Sequence, residues 1–167
     1  MKVLFVVNAH EFTAAHRLPM LRGAKAQGHT VEVVAPVGSP AAKRLQDEGF
    51  VTHPIRLSRR GLRFWEELLA IRELITLYRT LKPDLIHHAT IKPVLYGSIA
   101  ARYAGYPAVV NAITGLGYVY TSTNWRSRVL RIAVDGLYRY ALNYPRQRII
   151  FQNQDDYDVL SRIGAFN

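Results

Sequence analysis

Two adjacent histidines, His87 and His88, stand just before Thr90 and Lys92-Pro93, and residues of these types can bind anions, sugars or metals. Neighbouring residues of a strand face opposite sides, so the pair does not ligate one metal together, and with no third ligand evident no metal site is expected. One histidine is expected under a helix and the other beside a ligand. Lys92 precedes a proline suited to a first helical turn, where the positive helix end can meet an anion; an ordinary helix start is the equal alternative. His16-Arg17 either contacts a phosphate or sugar hydroxyl or lies on a solvated helix face, and spacing alone favours the solvated face. In Thr114-Gly115-Leu116-Gly117 the glycines either let the backbone approach a ligand or serve a turn with unusual dihedrals.

Several chemistries are missing from the sequence. The first loop, Asn8-Ala9-His10-Glu11-Phe12, lacks the G-x-G-x-x-G of dinucleotide domains. No P-loop occurs, no acidic cluster follows the first apolar run, and no G-x-S-x-G elbow is present. The chain has no cysteine, which removes disulfides, thiolate nucleophiles and cysteine-bound zinc.

Arginine beside aromatic residues is the most conspicuous pattern. Arg56, Arg59, Arg60 and Arg63 fall around one loop with Phe64 and Trp65, and Arg126, Arg128 and Arg131 open a late helix near Trp125, Tyr118 and Tyr120. Such surfaces suit a bilayer interface, with rings at headgroup level and guanidinium groups on lipid phosphates. Each basic residue near an anionic leaflet contributes about 1 kcal/mol. A solvated charged face over core aromatics is the commoner alternative. The net charge of +10 also points to an anionic partner. Nucleic acid is not expected, because no helix-turn-helix, RRM or KH signature is present.

The elements that must position these residues alternate along the chain. Apolar runs at Val3–Val7, Val31–Ala35, Val51–Arg56, Asp84–His88, Ala108–Ala112 and Arg148–Phe151 read as strands. Helices are expected at Thr13–Gln27, from Ser39-Pro40 to Gly49, at Phe64–Leu81, Pro93–Tyr103 and Trp125–Asn143, and from Asp155 to Ile163. A length of 167 residues, 49% hydrophobic and 20% charged, suits one folded domain. Strands separated by helices imply right-handed crossovers and a doubly wound α/β, Rossmann-like parallel sheet of about six strands. Ligands then sit beyond the carboxyl ends of the strands, which selects the loops at 8–12, 36–39, 57–63, 89–92, 113–123 and 152–155. No apolar run reaches the ~18 residues of a membrane span.

Four segments together resemble the N-terminal domain of family-four GT-B glycosyltransferases, above all those that extend sugars on undecaprenyl diphosphate: Phe12–Pro19, Leu57–Leu62, Pro83–Pro93 and Asn111–Tyr118. The resemblance implies one half of a GT-B architecture, the acceptor-side domain of a retaining enzyme that moves a sugar from a nucleotide-sugar, a UDP-sugar, to a lipid-linked acceptor in surface polysaccharide or glycan assembly. It implies no cofactor and no metal. By similarity, Asn8, His10, His16, Arg17, His88, Thr90, Lys92, Thr114, Gly115 and Gly117 line the cleft, with His16, Arg17 and Lys92 on phosphates. Arg59, Arg60, Arg63, Trp65, Trp125, Arg126 and Arg128 then rest on the anionic inner leaflet, giving a cytoplasmic, peripheral location. A donor domain with its acidic E-x7-E motif is expected elsewhere, so the chain alone is expected not to turn over and its exposed face to self-associate weakly. A subunit of a split transferase, or a non-catalytic membrane- or nucleic-acid-binding module, is the alternative.

Overall fold

The computed structural model describes residues 1–8, 16–36, 40–57, 64–105, 107–116, 120 and 124–166, with the side chains at 40, 41, 126 and 127 excepted. The strands are β1 (Lys2–Val6), β2 (Thr30–Pro36), β3 (Val51–Ile55), β4 (Leu85–Ala89), β5 (Ala108–Ile113) and β6 (Gln147–Phe151). The helices are α1 (Leu18–Ala26), α2 (Pro40–Asp47), α3 (Phe64–Leu81), α4 (Ile91–Tyr103), α5 (Trp125–Leu142) and α6 (Gln154–Arg162). The six strands form one sheet in the order β3-β2-β1-β4-β5-β6, and every pair is parallel. Rossmann-like doubly wound topology is therefore the architecture, as the alternation of runs implies.

Period-two alternation divides the apolar residues between two faces. Val3, Phe5 and Val7 pack with Val31, Val33 and Ala35 against Leu18 and Leu21 of α1 and Leu45 of α2. Leu4, Val6, Ile86 and Val109 face α3, α4 and α5 through Leu74, Tyr78, Val94, Ala101, Tyr138 and Leu142. Burying each such aliphatic or aromatic side chain stabilises the fold by roughly 1.5–3 kcal/mol. Helix α4 is buried from Pro93 through Ala101, so it lacks the polar face of a surface helix. Pro54 lies in β3, an edge strand, where its missing N–H breaks no internal ladder.

Strand order reverses between β1 and β4. The chain steps outward from β1 to β2 and β3, then returns through α3 to the other side of β1. The carboxyl ends of β1 and β4 therefore flank the switch point at which such sheets bind ligands.

Element ends differ from the sequence expectation in three informative places. Helix α1 starts at Leu18 with Pro19 in its first turn, and His16-Arg17 form a wider, π-type turn before it; residues 13–15 lie outside the description. Helix α4 begins at Ile91, so Pro93 is its third residue and not its first. An N–H there has no intrahelical partner in any case, so proline is tolerated. Helix α6 is capped by Asn153, whose side chain accepts from the Asp156 amide at 2.8 Å.

Candidate functional site

The parallel register collects the expected loops on one edge. Val6 pairs with His88 and His88 with Asn111, so Asn8, Thr90 and Thr114 all lie just past the carboxyl ends of adjacent strands. Asn8, Thr90, Lys92, Thr114 and Gly115 are half-buried. His10 and Gly117 lie outside the described residues.

Among the described residues of this edge, Thr90 has the most strained backbone. It precedes α4 with φ 76° and ψ 164°, a conformation that is essentially reserved for glycine. A threonine in this position ordinarily caps the helix through its hydroxyl, but here no such bond forms. The Oγ1 atom is buried without a hydrogen-bond partner among the described residues. Gly115 has φ 121°, and a Cβ placed there would meet nothing within 4 Å. Glycine at 115 thus answers to backbone conformation rather than to close packing.

The two histidines take opposite roles, as adjacent strand residues must. His88 is fully buried among α3, α4 and β5. Its Nδ1–H donates to Asn111 Oδ1 at 2.8 Å, and its Nε2 accepts from the Tyr78 hydroxyl at 3.0 Å. Ser98 donates to the same Asn111 oxygen at 3.1 Å, and Asn111 Nδ2 donates to Gln147 Oε1. With both ring nitrogens engaged, His88 supports the edge from beneath and does not line the cleft, which corrects the expectation for this residue. Burial pulls its pKa down to about 3, with the Asn111 bond opposing that shift, so the ring is neutral.

His87 points to the α1 face, 5.0 Å from the Phe5 ring. It too is buried, and its Nε2 has no hydrogen-bond partner among the described residues. Desolvation and the nearby positive charge of Arg17 pull its pKa down to about 4. Burial also lowers the pKa of the half-buried Arg17 guanidinium. The structure thus places the Arg17 charge near enough to His87 to act on it, a proximity that sequence separation conceals, while His16 is exposed.

Lys92 differs from expectation in its partner. Its Nζ lies 2.5 Å from Glu67 Oε1, and both side chains are only 12% exposed. Glu67 also bonds the Tyr96 hydroxyl, which is shifted upward by burial and by that carboxylate. The lysine charge is therefore already matched by a carboxylate from the first turn of α3. Only the tertiary packing of α3 on α4 reveals Glu67 as part of this region.

Of the expected membrane-surface residues, Trp65 and Trp125 are 75% and 68% exposed, and Arg128 is exposed. Arg59, Arg60 and Arg63, and the side chain of Arg126, lie outside the described residues. Arg56 pairs with Glu73 at 3.6 Å, and Arg131 is drawn inward to the Tyr120 carbonyl at 3.1 Å. Phe64, named with the arginines, is exposed, and apolar residues outside that pattern are exposed beside it: Leu68 and Leu69 on α3, and Val129 and Ile132 on α5. Trp125, Val129, Ile132, Gly136 and Tyr140 fall within roughly 80° of arc at 3.6 residues per turn. Among the described residues, no helix is long and apolar enough to cross a membrane.

Comparisons with known proteins agree with this geometry. Residues 2–153 match the family model described as Glycosyl transferase 4-like. The chain is 24% identical over 164 residues to N,N'-diacetylbacillosaminyl-diphospho-undecaprenol alpha-1,3-N-acetylgalactosaminyltransferase of Campylobacter jejuni subsp. jejuni serotype O:2. That match covers 98% of this chain and 43% of the relative, so the chain spans less than half of the relative's length. Among solved structures, UDP-GlcNAc 2-epimerase of Methanocaldococcus jannaschii matches with TM-score 0.59 at 12% identity, covering 100% of this chain and 45% of that one. MurG of Acinetobacter baumannii matches with TM-score 0.53 at 18% identity, covering 80% of this chain and 39% of that one. An epimerase and MurG sharing this fold show that the fold alone does not select a reaction. The family match extends over most of the chain, through every strand described above: the chain belongs to the glycosyl transferase 4-like family.

Proposed function

We propose that this chain is the acceptor-side domain of a retaining glycosyltransferase that moves a sugar from a UDP-sugar to a lipid-linked acceptor, in the assembly of a surface polysaccharide or glycan. The observation that carries this reading is the carboxyl edge at the switch point, where Asn8, Thr90, Thr114 and Gly115 gather in a chain of the glycosyl transferase 4-like family. The relative's name, with its diphospho-undecaprenol, supports a lipid-linked acceptor. Transfer requires donor and acceptor to be held together in a cleft that excludes water. A second domain supplies the facing wall and binds the donor, in keeping with the length of the relative.

In this reading Arg17 and the backbone amides of Ile91 and Lys92 at the start of α4 receive the acceptor's phosphate groups, and the strained Thr90 turn presents those amides. His88 and Asn111 hold that turn from below through their buried hydrogen bonds. Trp65, Trp125, Ile132 and the neighbouring arginines rest the domain on the anionic inner leaflet, at the depth where the acceptor's head lies.

The test measures binding and transfer separately. The purified chain is expected to bind a polyprenyl-diphosphate sugar, to bind UDP weakly, and to transfer no labelled sugar alone. Transfer is expected when a donor domain from a family member is added. Sugar transfer by the chain alone would overturn the division of labour, and tight UDP binding without acceptor binding would overturn the acceptor-side assignment.

A further inference from the structure

An apolar groove runs between α3, α4 and α5. Its volume is about 260 Å³, and it is lined by Phe64, Glu67, Leu68, Ile71, Tyr96 and Leu137. The Glu67 carboxylate is occupied by Lys92 and by the Tyr96 hydroxyl, so the groove offers carbon to an occupant. Its lining includes exposed apolar residues, with Phe64 67% exposed and Leu68 43%. Its lining also includes Tyr96, about one helical turn beyond Lys92 at the start of α4, and Glu67, which pairs with that lysine. The groove thus joins an exposed apolar face to the first turns of α3 and α4, just past Thr90.

We propose that this groove binds the hydrocarbon chain of the acceptor lipid next to its diphosphate. This rests on the acceptor-side reading above and adds the place of the lipid tail. Three features select an isoprenoid carrying an anionic head. The lining is apolar, the paired Lys92 and Glu67 leave no net charge at the wall, and the chain as a whole carries +10. A second copy of the chain fits less well, because each copy carries +10 and the two would repel. An apolar chain lodged here leaves its head beside the start of α4, with the tail directed toward the Phe64, Trp65 and Leu69 surface that faces the bilayer.

The test uses farnesyl diphosphate, inorganic diphosphate and phosphatidylglycerol vesicles as probes, with binding followed by calorimetry or sedimentation. Farnesyl diphosphate is expected to bind at least tenfold more tightly than inorganic diphosphate. Leu137→Glu and Leu68→Asn, both at partly exposed positions, are each expected to remove about that tenfold and to leave diphosphate binding unchanged. Both variants are checked for native circular dichroism, and either one suffices if the other fails to fold. Ile132→Ser on the α5 crest is expected to weaken vesicle binding and leave farnesyl diphosphate binding intact. Equal affinities for the two diphosphates, no effect of the groove variants, or an equal loss with Ile132→Ser would overturn the groove. If the groove variants have no effect while the chain still binds a polyprenyl-diphosphate sugar, the groove alone fails. If the polyprenyl-diphosphate sugar does not bind at all, the acceptor-side reading fails.

Discussion

Replacing Gly97 with alanine tests whether the buried network beneath Thr90 is as rigid as its geometry implies. Gly97 lies in the buried stretch of α4, and a Cβ there would fall 2.3 Å from His88 Nε2 and 2.5 Å from Cδ2. The ring has little room to yield, because Asn111 holds Nδ1 at 2.8 Å and Tyr78 holds Nε2 at 3.0 Å. Alanine gains about 1 kcal/mol over glycine in helix propensity. Against that, overpacking costs about 1–3 kcal/mol, and each buried polar group left unpaired when the ring shifts costs about 1–3 kcal/mol. With one such group unpaired the net expectation is a loss of about 1–5 kcal/mol, read as a lower urea midpoint at unchanged slope. His88→Ala vacates the space that the new methyl needs. Gly97→Ala in that background is therefore expected to be neutral or slightly stabilising, a coupling far above the ~0.5 kcal/mol scatter of independent sites. A Gly97→Ala variant within about 0.5 kcal/mol of the parent, or the same penalty in both backgrounds, would refute the reasoning.

Acid should weaken the fold through the same residues. His87 and His88 stay neutral in the native state, with pKa values pulled down to about 4 and about 3. The unfolded chain takes up protons below its ordinary histidine value, so this stability is present above about pH 6.5 and is lost as pH falls toward the native values. Between pH 7 and 5 each histidine is expected to remove roughly 2 kcal/mol, and a flat urea midpoint over that range would contradict both assignments. Lys92→Met strands the Glu67 carboxylate and should cost about 3 kcal/mol, most of which a second change, Glu67→Leu, should restore; two additive losses in a denaturation series would show that the pair is not coupled. Thr90→Gly relieves the positive φ and removes an unpaired hydroxyl, so a gain of about 1 kcal/mol is expected after glycine's greater freedom in the unfolded chain. A comparable loss in thermal or urea unfolding would show that Thr90 is held there by stabilising contacts of its own.

The order of elements was legible because it depends on local pattern. Runs such as Val3–Val7 are too apolar for a solvated surface and too short for a helix, and glycines at 28, 49 and 105 take positive φ where helices stop. Alternation of such runs with helices leaves a parallel sheet as the economical arrangement, and a parallel sheet places its useful loops on the carboxyl edge. Asn8, Thr90 and Thr114 were accessible to that chain of inference. Helix starts were less so, because Pro93 is compatible with several positions of a first turn.

What the sequence by itself determined is the succession of strands and helices and the edge on which chemistry would gather. Which histidine supports and which faces Arg17, that Lys92 is already matched by Glu67, and that Phe64, Leu68 and Leu137 share a groove were decided only by tertiary packing. Periodicity tells which residues share a side of one element, but not which neighbour lies across from that side. Burial, hydrogen-bond partners and charge pairing depend on the second relation, and only the folded chain supplies it.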